Sequence, residues 1–457
     1  MRDFGKEFQS LLDERGISLR EAARRAEVSP GHLSNVVHGK RPLTPSVATR
    51  LDQVLGAEGW FLEQALAPSA GTAWQLGRPS AGTAAAIAGL EGYEVADDAV
   101  EGLIELAARS ASPRGDIAAA SGPDLAAAVH DALRAALTWR GRRTGQDRVL
   151  PPQLVVMNSH IASMRTLDDR HGGGALSLLY VNGQLRVALE LARAADYTAD
   201  VSHQLMVMIG DLAQLTGWVN FDASRYGAAE RYLMLSQYVA RAAGEPGRAA
   251  NAVGMLSYIS AFAGHGTDAV HIAAAAEYLC PQSASPALRA RIAGRKATAC
   301  AAAGDFAGFR AASQTALELL AKDGPQAPSY LYYLEPEQLI AEQGQALVML
   351  AERSEVGRKR LLGEAVELLA PISASGARPQ YPRSALLHGS FLAKAYLMIG
   401  DQDAAVASAR DALTRLAEVQ SVRGISYLRS LRPELARHGR APTVAAFLPE
   451  FDAALLT

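Results

Sequence analysis

The chain has 457 residues, of which 49% are hydrophobic and 20% charged, with a formal net charge of −2. That length allows two or three domains and a large core, while the near-zero charge excludes a global basic field for nucleic acid or membrane. No apolar run approaches the ~20 residues needed to span a bilayer, the charged start "MRDFGKEFQS" lacks the apolar stretch of a secretory leader, and two cysteines, Cys280 and Cys300, suit a reducing cytoplasm better than a disulfide scaffold.

Alanine is abundant, alternating strand patterns are scarce, and apolar residues recur at spacings of three and four, so the expected fold is all-α. Three regions separate: 1–67, a compact helical domain; 68–92, a linker; and 93–457, a long helical region. Phe4, Phe8, Leu11 and Leu12 mark a first helix. Ser18 with Glu21 three residues on is a capping box that opens a second helix, whose apolar face is Leu19, Ala22, Ala23 and Ala26. After Val28, Ser29 is a fresh N-cap, with Pro30 at the first helical position and Leu33, Val36 and Val37 inward. Gly39 stops this third helix. A fourth starts at Thr44–Pro45 with Val47, Leu51, Val54 and Leu55 inward, and Trp60, Phe61 and Leu62 supply a last one.

Caps, spacing, the small Ala23, Val28 in the turn, Leu33 and the closing "HGKRP" together resemble the phage-repressor type of helix-turn-helix domain, the xenobiotic-response-element family, over residues 4–66. The resemblance implies that the third helix enters the major groove of a duplex operator N-terminus first. Pro30, Gly31, Ser34 and Asn35 then face base edges, with His32 beside them, and Asn35 suits adenine because its amide both donates and accepts. Arg20, Arg24, His38, Lys40 and Arg41 are the expected phosphate contacts, which set register without carrying sequence information. Residues 1–66 hold nine Lys/Arg and nine Asp/Glu, so the domain is not basic overall, yet its basic residues cluster around the reading helix. Against this stands a purely structural or protein-binding bundle, because pairs such as Arg24–Arg25 are usually solvated faces.

Residues 68–92 are rich in Gly, Ala, Ser, Thr and Pro and repeat "SAGTA" at 69–73 and 80–84, as a flexible or partly ordered linker does. At 167–176, "LDDRHGGGAL" pairs Asp168, Asp169 and His171 with three glycines. Without a following Gly-Lys-Ser/Thr it is no phosphate loop. It resembles the helix end and tight turn that precede a repeat array in helix-turn-helix regulators of filamentous actinobacteria.

Internal repetition follows, clearest in 203–320 and 337–420. Gly264 and Gly304 stand forty apart, with Ala269 and Phe309 five residues after each. The same anchor recurs at Ala229, Ala365 and Ala405, and the inserted "DGPQAPSYLYYLEP" accounts for the longer step to Ala365. Twelve residues earlier lie Gly217, Ser257, Ala297 and Ala393, with Arg353 as the exception. A helix, a Gly-Asp turn and a second helix resemble the tetratricopeptide repeat, although the family unit is nearer 34 residues. The resemblance implies a concave inner surface lined first by Asp211, Asn251, Arg291, Leu347 and Leu387, then by Gln214, and then by Trp218 and Tyr258. The residues expected to bind a peptide or small amphipathic effector are therefore Asp211, Gln214, Trp218, Asn251, Tyr258 and Arg291; the alternative is that the aromatics are simply core.

No metal-binding HExxH or CxxC, no GxGxxG loop and no GxSxG elbow occurs, so no catalytic residue, metal or cofactor is expected. The combined expectation is a cytoplasmic, homodimeric transcriptional regulator, with a repeat domain that senses a signal or dimerises. The resemblance further implies control of secondary metabolism or development. The rival is an interaction scaffold in which the small domain is an adaptor.

Overall fold

The computed structural model describes residues 4–26, 28–38, 43, 45–57, 60–61, 119–120, 122–134, 148–194, 196–322, 324, 326–354, 357–374 and 381–456. The chain divides into two compact units, Met1–Arg78 and Pro79–Thr457. The expected linker 68–92, most of 93–150, and Gly39, Lys40, Arg41 and Leu62 lie outside the described residues.

In the first unit, α1 (Phe4–Glu14), α2 (Leu19–Arg25), α3 (Pro30–Val37) and α4 (Pro45–Leu55) are short and amphipathic. Such short helices are marginal alone and persist because each buries a face. Phe8, Leu12, Ala22, Ala23, Leu33, Leu51 and Phe61 form one buried core. The small Ala22 and Ala23 let α3 approach α2. Asp52, buried in α4, accepts a hydrogen bond from Phe61 N at 2.9 Å and so satisfies a donor at the start of the last helical segment. Ser18 accepts from Glu21 N at 3.2 Å, as an N-cap should. The reciprocal half of the expected capping box does not form, because the Glu21 carboxylate is taken by Arg24 and Arg25.

Fifteen further helices are described in the second unit, with no strand among the described residues. They are α5 (Gly122–Arg134), α6 (Pro151–His171), α7 (Ala175–Ala194), then six hairpins: α8 (Ala199–Asp222) with α9 (Tyr226–Ala242), α10 (Pro246–Phe262) with α11 (Gly266–Leu279), α12 (Pro286–Ala303) with α13 (Phe306–Leu320), α14 (Pro336–Arg353) with α15 (Arg358–Ser373), α16 (Pro382–Ile399) with α17 (Gln402–Thr414), and α18 (Val422–Arg437) with α19 (Pro442–Leu456). Proline opens the first helix of four successive units, at 246, 286, 336 and 382, where its missing N–H costs nothing.

The hairpin turns share one backbone device. Ser224, Gly264, Gly304, Gly357 and Gly400 all have φ between 59° and 95°, the left-handed region that ends a helix. Five residues on, Ala229, Ala269, Phe309, Leu362 and Ala405 are fully buried. The fourth anchor is therefore Leu362 and not Ala365. From Leu362 to Ala405 is forty-three residues and not forty, because α16 starts twenty residues after its preceding anchor where α10 and α12 start seventeen after theirs, so counting back forty from Ala405 lands three residues late. Corrected, the inward-row position assigned to Leu347 belongs to Gly344. The positions twelve before the anchors pack as expected in the first two units: a Cβ on Gly217 would meet Ala229 O at 3.1 Å, and Ser257 Oγ donates to Ala269 O at 2.8 Å.

The array is curled until its start meets its end. The turn after α6 carries Gly172 at φ 79°, and Gly173 lies so close that a Cβ would stand 2.6 Å from Val219 O. Gly173 N donates to Asp222 at 2.9 Å, and Gln420 N donates to His171 O at 2.7 Å. Arg383 of α16 reaches Asp168 and Asp169 of α6 at 2.8 and 2.9 Å, and Asp222 of α8 at 3.9 Å. Arg423 of α18 lies 3.1 Å from Asp222. Removing one member of such a buried network strands the rest without compensation. Arg383→Met is therefore expected to cost about 3–5 kcal/mol, read as a lowered urea midpoint; a change below about 1 kcal/mol, the range of an exposed pair, would show that this contact does not hold the array closed.

Candidate functional site

The helix α3 is presented by two buried side chains. Leu33 and Val36 enter the core, at 0% and 3% exposure, while Pro30, Gly31 and His38 are exposed and Ser34 and Asn35 half-buried. At about 100° per residue, positions 30, 31, 34, 35 and 38 occupy one face about 140° wide, opposite Leu33 and Val36. His32 falls roughly 60° beyond that face and sits on its shoulder. Ser29 caps the helix by accepting from His32 N at 3.1 Å, and the first turn carries no acidic residue. The leading end thus offers the positive pole of the helix dipole to an electronegative partner.

Four residues, 26–29, separate α2 from α3, and Val28 N donates to Ala23 O at 2.9 Å, which fixes the angle between them. Arg20, Arg24 and Arg25 are exposed on α2. Arg24 and Arg25 converge on Glu21 at 2.6 and 2.7 Å. Their hydrogen bonds hold the Glu21 carboxyl down at about 2. Two guanidiniums on one carboxylate leave one net positive charge, to which Arg20 adds a second. The Arg24 and Arg25 heads are already occupied, a restraint absent from the sequence expectation although the i, i+3, i+4 spacing of Glu21, Arg24 and Arg25 made it visible. His38 Nδ1 lies 2.7 Å from Ser34 O and must donate to it, since a carbonyl only accepts. Its Nε2 then bears a proton only in the imidazolium form, so a phosphate contact there requires the charged ring.

The second unit carries a cavity on its inner side. It is narrow, about 70 Å³, and adjoins a wider cleft of about 610 Å³ that shares Arg165 and Tyr332 with it. Gln214, Trp218 and Tyr258 line the narrow part, and Asp211 lines the wider one, paired with Arg165 at 3.3 Å and also with Arg248. The structure brings together these four of the six residues named from the sequence. Arg291 and Asn251 are corrections. Arg291 is fully buried and consumed by Glu342 of α14, and Asn251 is buried in α10 lining neither space. The reason is rotational: the cavity is lined one to two turns further along each first helix, where Gln214, Leu215, Trp218, Met255, Tyr258 and Arg295 lie.

Sequence reasoning missed Arg295, Arg383, Asp168 and Asp169 as lining residues. Their partners lie tens to hundreds of positions away, so no local pattern marks them. Burial pushes the Asp168 carboxyl up to about 7, only partly offset by Arg383. Burial likewise opposes ionisation of Glu342, but Arg291 and Arg295 outweigh it and hold that carboxyl down at about 2. Among the described residues no group of three or more His, Cys, Asp or Glu is placed to hold a metal ion, and no helix is long and apolar enough to cross a membrane.

With this geometry in place, the class of the first unit is settled by comparison: the profile of the helix-turn-helix domain family matches residues 3–60. Two relatives match over stretches of comparable length. An uncharacterised HTH-type transcriptional regulator of Escherichia coli, YddM, is 43% identical over 53 residues, which are 12% of this chain and 56% of that protein. The HTH-type transcriptional regulator RamB of Mycobacterium tuberculosis is 37% identical over 57 residues, 12% of each chain. These matches span about half of one relative and about an eighth of the other. No solved structure matches the chain.

The Glu21 arrangement is testable. Glu21→Gln is expected to tighten binding to duplex DNA and to steepen the salt dependence by about one in log–log slope per phosphate newly contacted. An unchanged affinity and slope in a fluorescence-anisotropy titration would show that Arg24 and Arg25 do not face DNA.

Proposed function

We propose that the chain is a sequence-specific DNA-binding transcriptional regulator of the xenobiotic-response-element type, acting in the cytoplasm, whose α3 enters the major groove with Pro30, Gly31, Ser34 and Asn35 toward base edges. The observation that carries this is the outward face of α3, held by Leu33 and Val36 in a unit that matches the helix-turn-helix family. Asn35 is the principal base reader and His32 a flanking one. Arg20, Arg24, His38, Lys40 and Arg41 are the phosphate set. The array, a tetratricopeptide-like solenoid in this reading, senses an effector and joins two copies.

A homodimer follows from scale. One eight-residue reading helix contacts too few bases to select a site in a genome, whereas two copies read half-sites about one DNA turn (~34 Å) apart. The face that joins them is on α7. Leu176, Leu179, Tyr180, Gly183 and Val187 form an exposed stripe at helical spacing, with Leu176 77% and Leu179 59% exposed. That spacing is the seam of a two-helix contact, and a second copy supplies the same stripe in a self-complementary interface. An effector acts by having different affinity for two arrangements of the array, which alters the spacing of the two reading helices.

Selection from a random duplex pool tests the reading. The full chain is expected to enrich a motif with two related half-sites. Asn35→Ala is expected to enrich the same motif with one position per half-site relaxed, a loss of about 1–3 kcal/mol of discrimination there. An interaction scaffold with an adaptor domain would bind all duplexes alike and enrich nothing. Leu179→Asp is expected to convert a dimer to a monomer in light scattering and to weaken selection of paired half-sites; a variant of unchanged mass would remove α7 as the interface.

A further inference from the structure

The buried charges of the array do not balance locally. Arg291 and Arg295, 0% and 3% exposed, share one carboxylate, that of Glu342. Arg291 takes it through two hydrogen bonds, and Gln338 donates to it as well at 3.0 Å. Arg295 Nη1 stands 3.8 Å from Glu342, beyond hydrogen-bonding reach, and makes no hydrogen bond among the described residues. Its guanidinium instead lies over the faces of Tyr258 at 4.1 Å and Trp218 at 5.5 Å. A buried guanidinium nitrogen without a hydrogen bond is expensive, and this one belongs to a side chain that lines the cavity.

Its repeat position makes the cost conspicuous. Fourteen residues before each corrected anchor stand Leu215, Met255, Arg295, Val348 and Phe391, all buried. Four units place an apolar side chain there and one places a charge. The same cavity holds a second unsatisfied group. Asp168, 3% exposed, receives Arg383 on Oδ2, while its Oδ1 has no hydrogen-bond partner among the described residues.

We propose that the inner cavity is the effector site and takes a small organic acid, its carboxylate held by Arg295 and its hydroxyl or ammonium group donating to Asp168. A guanidinium fork matches a carboxylate, the aromatic faces of Tyr258 and Trp218 confine its orientation, and the narrow cavity admits a small acid while the adjoining cleft accommodates a longer tail. The proposal rests on the effector-sensing reading above, with the ligand class now specified.

The experiment measures Tm of the full chain with propionate, lactate, alanine, succinate, malate, aspartate and inorganic phosphate at millimolar concentration. A hydroxy or amino acid is expected to raise Tm by about 2–5 °C at saturating concentration, with its unsubstituted counterpart shifting it less. In Arg295→Met the shift is expected to vanish while the ligand-free Tm stays level or rises, since a strained charge has been replaced by the apolar type found in the other units; Arg295→Lys, which keeps charge without the fork, is expected to retain only part of the shift. Asp168→Asn is expected to narrow the difference between substituted and unsubstituted acids. Three results overturn the proposal: no acid shifts wild-type Tm, the shift survives in Arg295→Met, or phosphate alone produces it. Selection of DNA by the same preparations is scored separately. A wild type that selects its motif but ignores every acid fails only this inference, whereas a chain that binds an acid and selects no DNA fails only the regulator reading.

Discussion

Arg383 is the point on which the helical array turns. It is 4% exposed, donates to Asp168 and Asp169, and stands beside Asp222. Taking these groups out of water is costly, and the cost is offset only while every partner is present. A stack of helical hairpins contacts nearest neighbours alone and is free to vary its curvature; a buried ion network joining α6 and α8 to α16 and α18 removes that freedom. The glycines at 172–174 serve the same closure, since Gly173 lies against α8 where a side chain has no room. Closure also determines what the interior is: Trp218, Tyr258 and their arginines around a narrow cavity, instead of an open groove for an extended peptide.

The helix-turn-helix unit works by the opposite economy. Its reading helix contributes two fully buried side chains, and most of the rest of its surface is left for contact. A short helix so anchored has its orientation fixed by the core and its chemistry set by the outward face. On the function proposed above, the two units separate recognition of a long polyanion, through exposed residues, from recognition of a small ligand, through buried ones.

Much of this was legible in the chain. The caps at Ser18 and Ser29 and the proline at position 30 placed the starts of α2 and α3 at Leu19 and Pro30, because local hydrogen bonding decides helix starts there. The glycine turns marked the hairpins for the same reason. Three things were not legible. Glu21 satisfies two arginines instead of closing the capping box, since the charged pairs outcompete the backbone amide. The register slipped by three at Leu362, because the stretch from α15 to α16 is three residues longer than its counterparts between the earlier hairpins. The inner lining is assembled from partners up to about 200 positions apart, so Asp168 and Arg383 show no relation in the sequence. Arg295 is the instructive case: once the anchors are aligned, it is the charged residue in an otherwise apolar row, a signal present in the sequence but hidden by the misplaced fourth unit.

Amide hydrogen exchange of the full chain, with and without duplex DNA at low salt, tests the central claim most directly. Slowed exchange is predicted across residues 29–38, with α1 exchanging as before. Protection confined to the helical array, or none anywhere, would contradict a reading helix whose free end meets the groove.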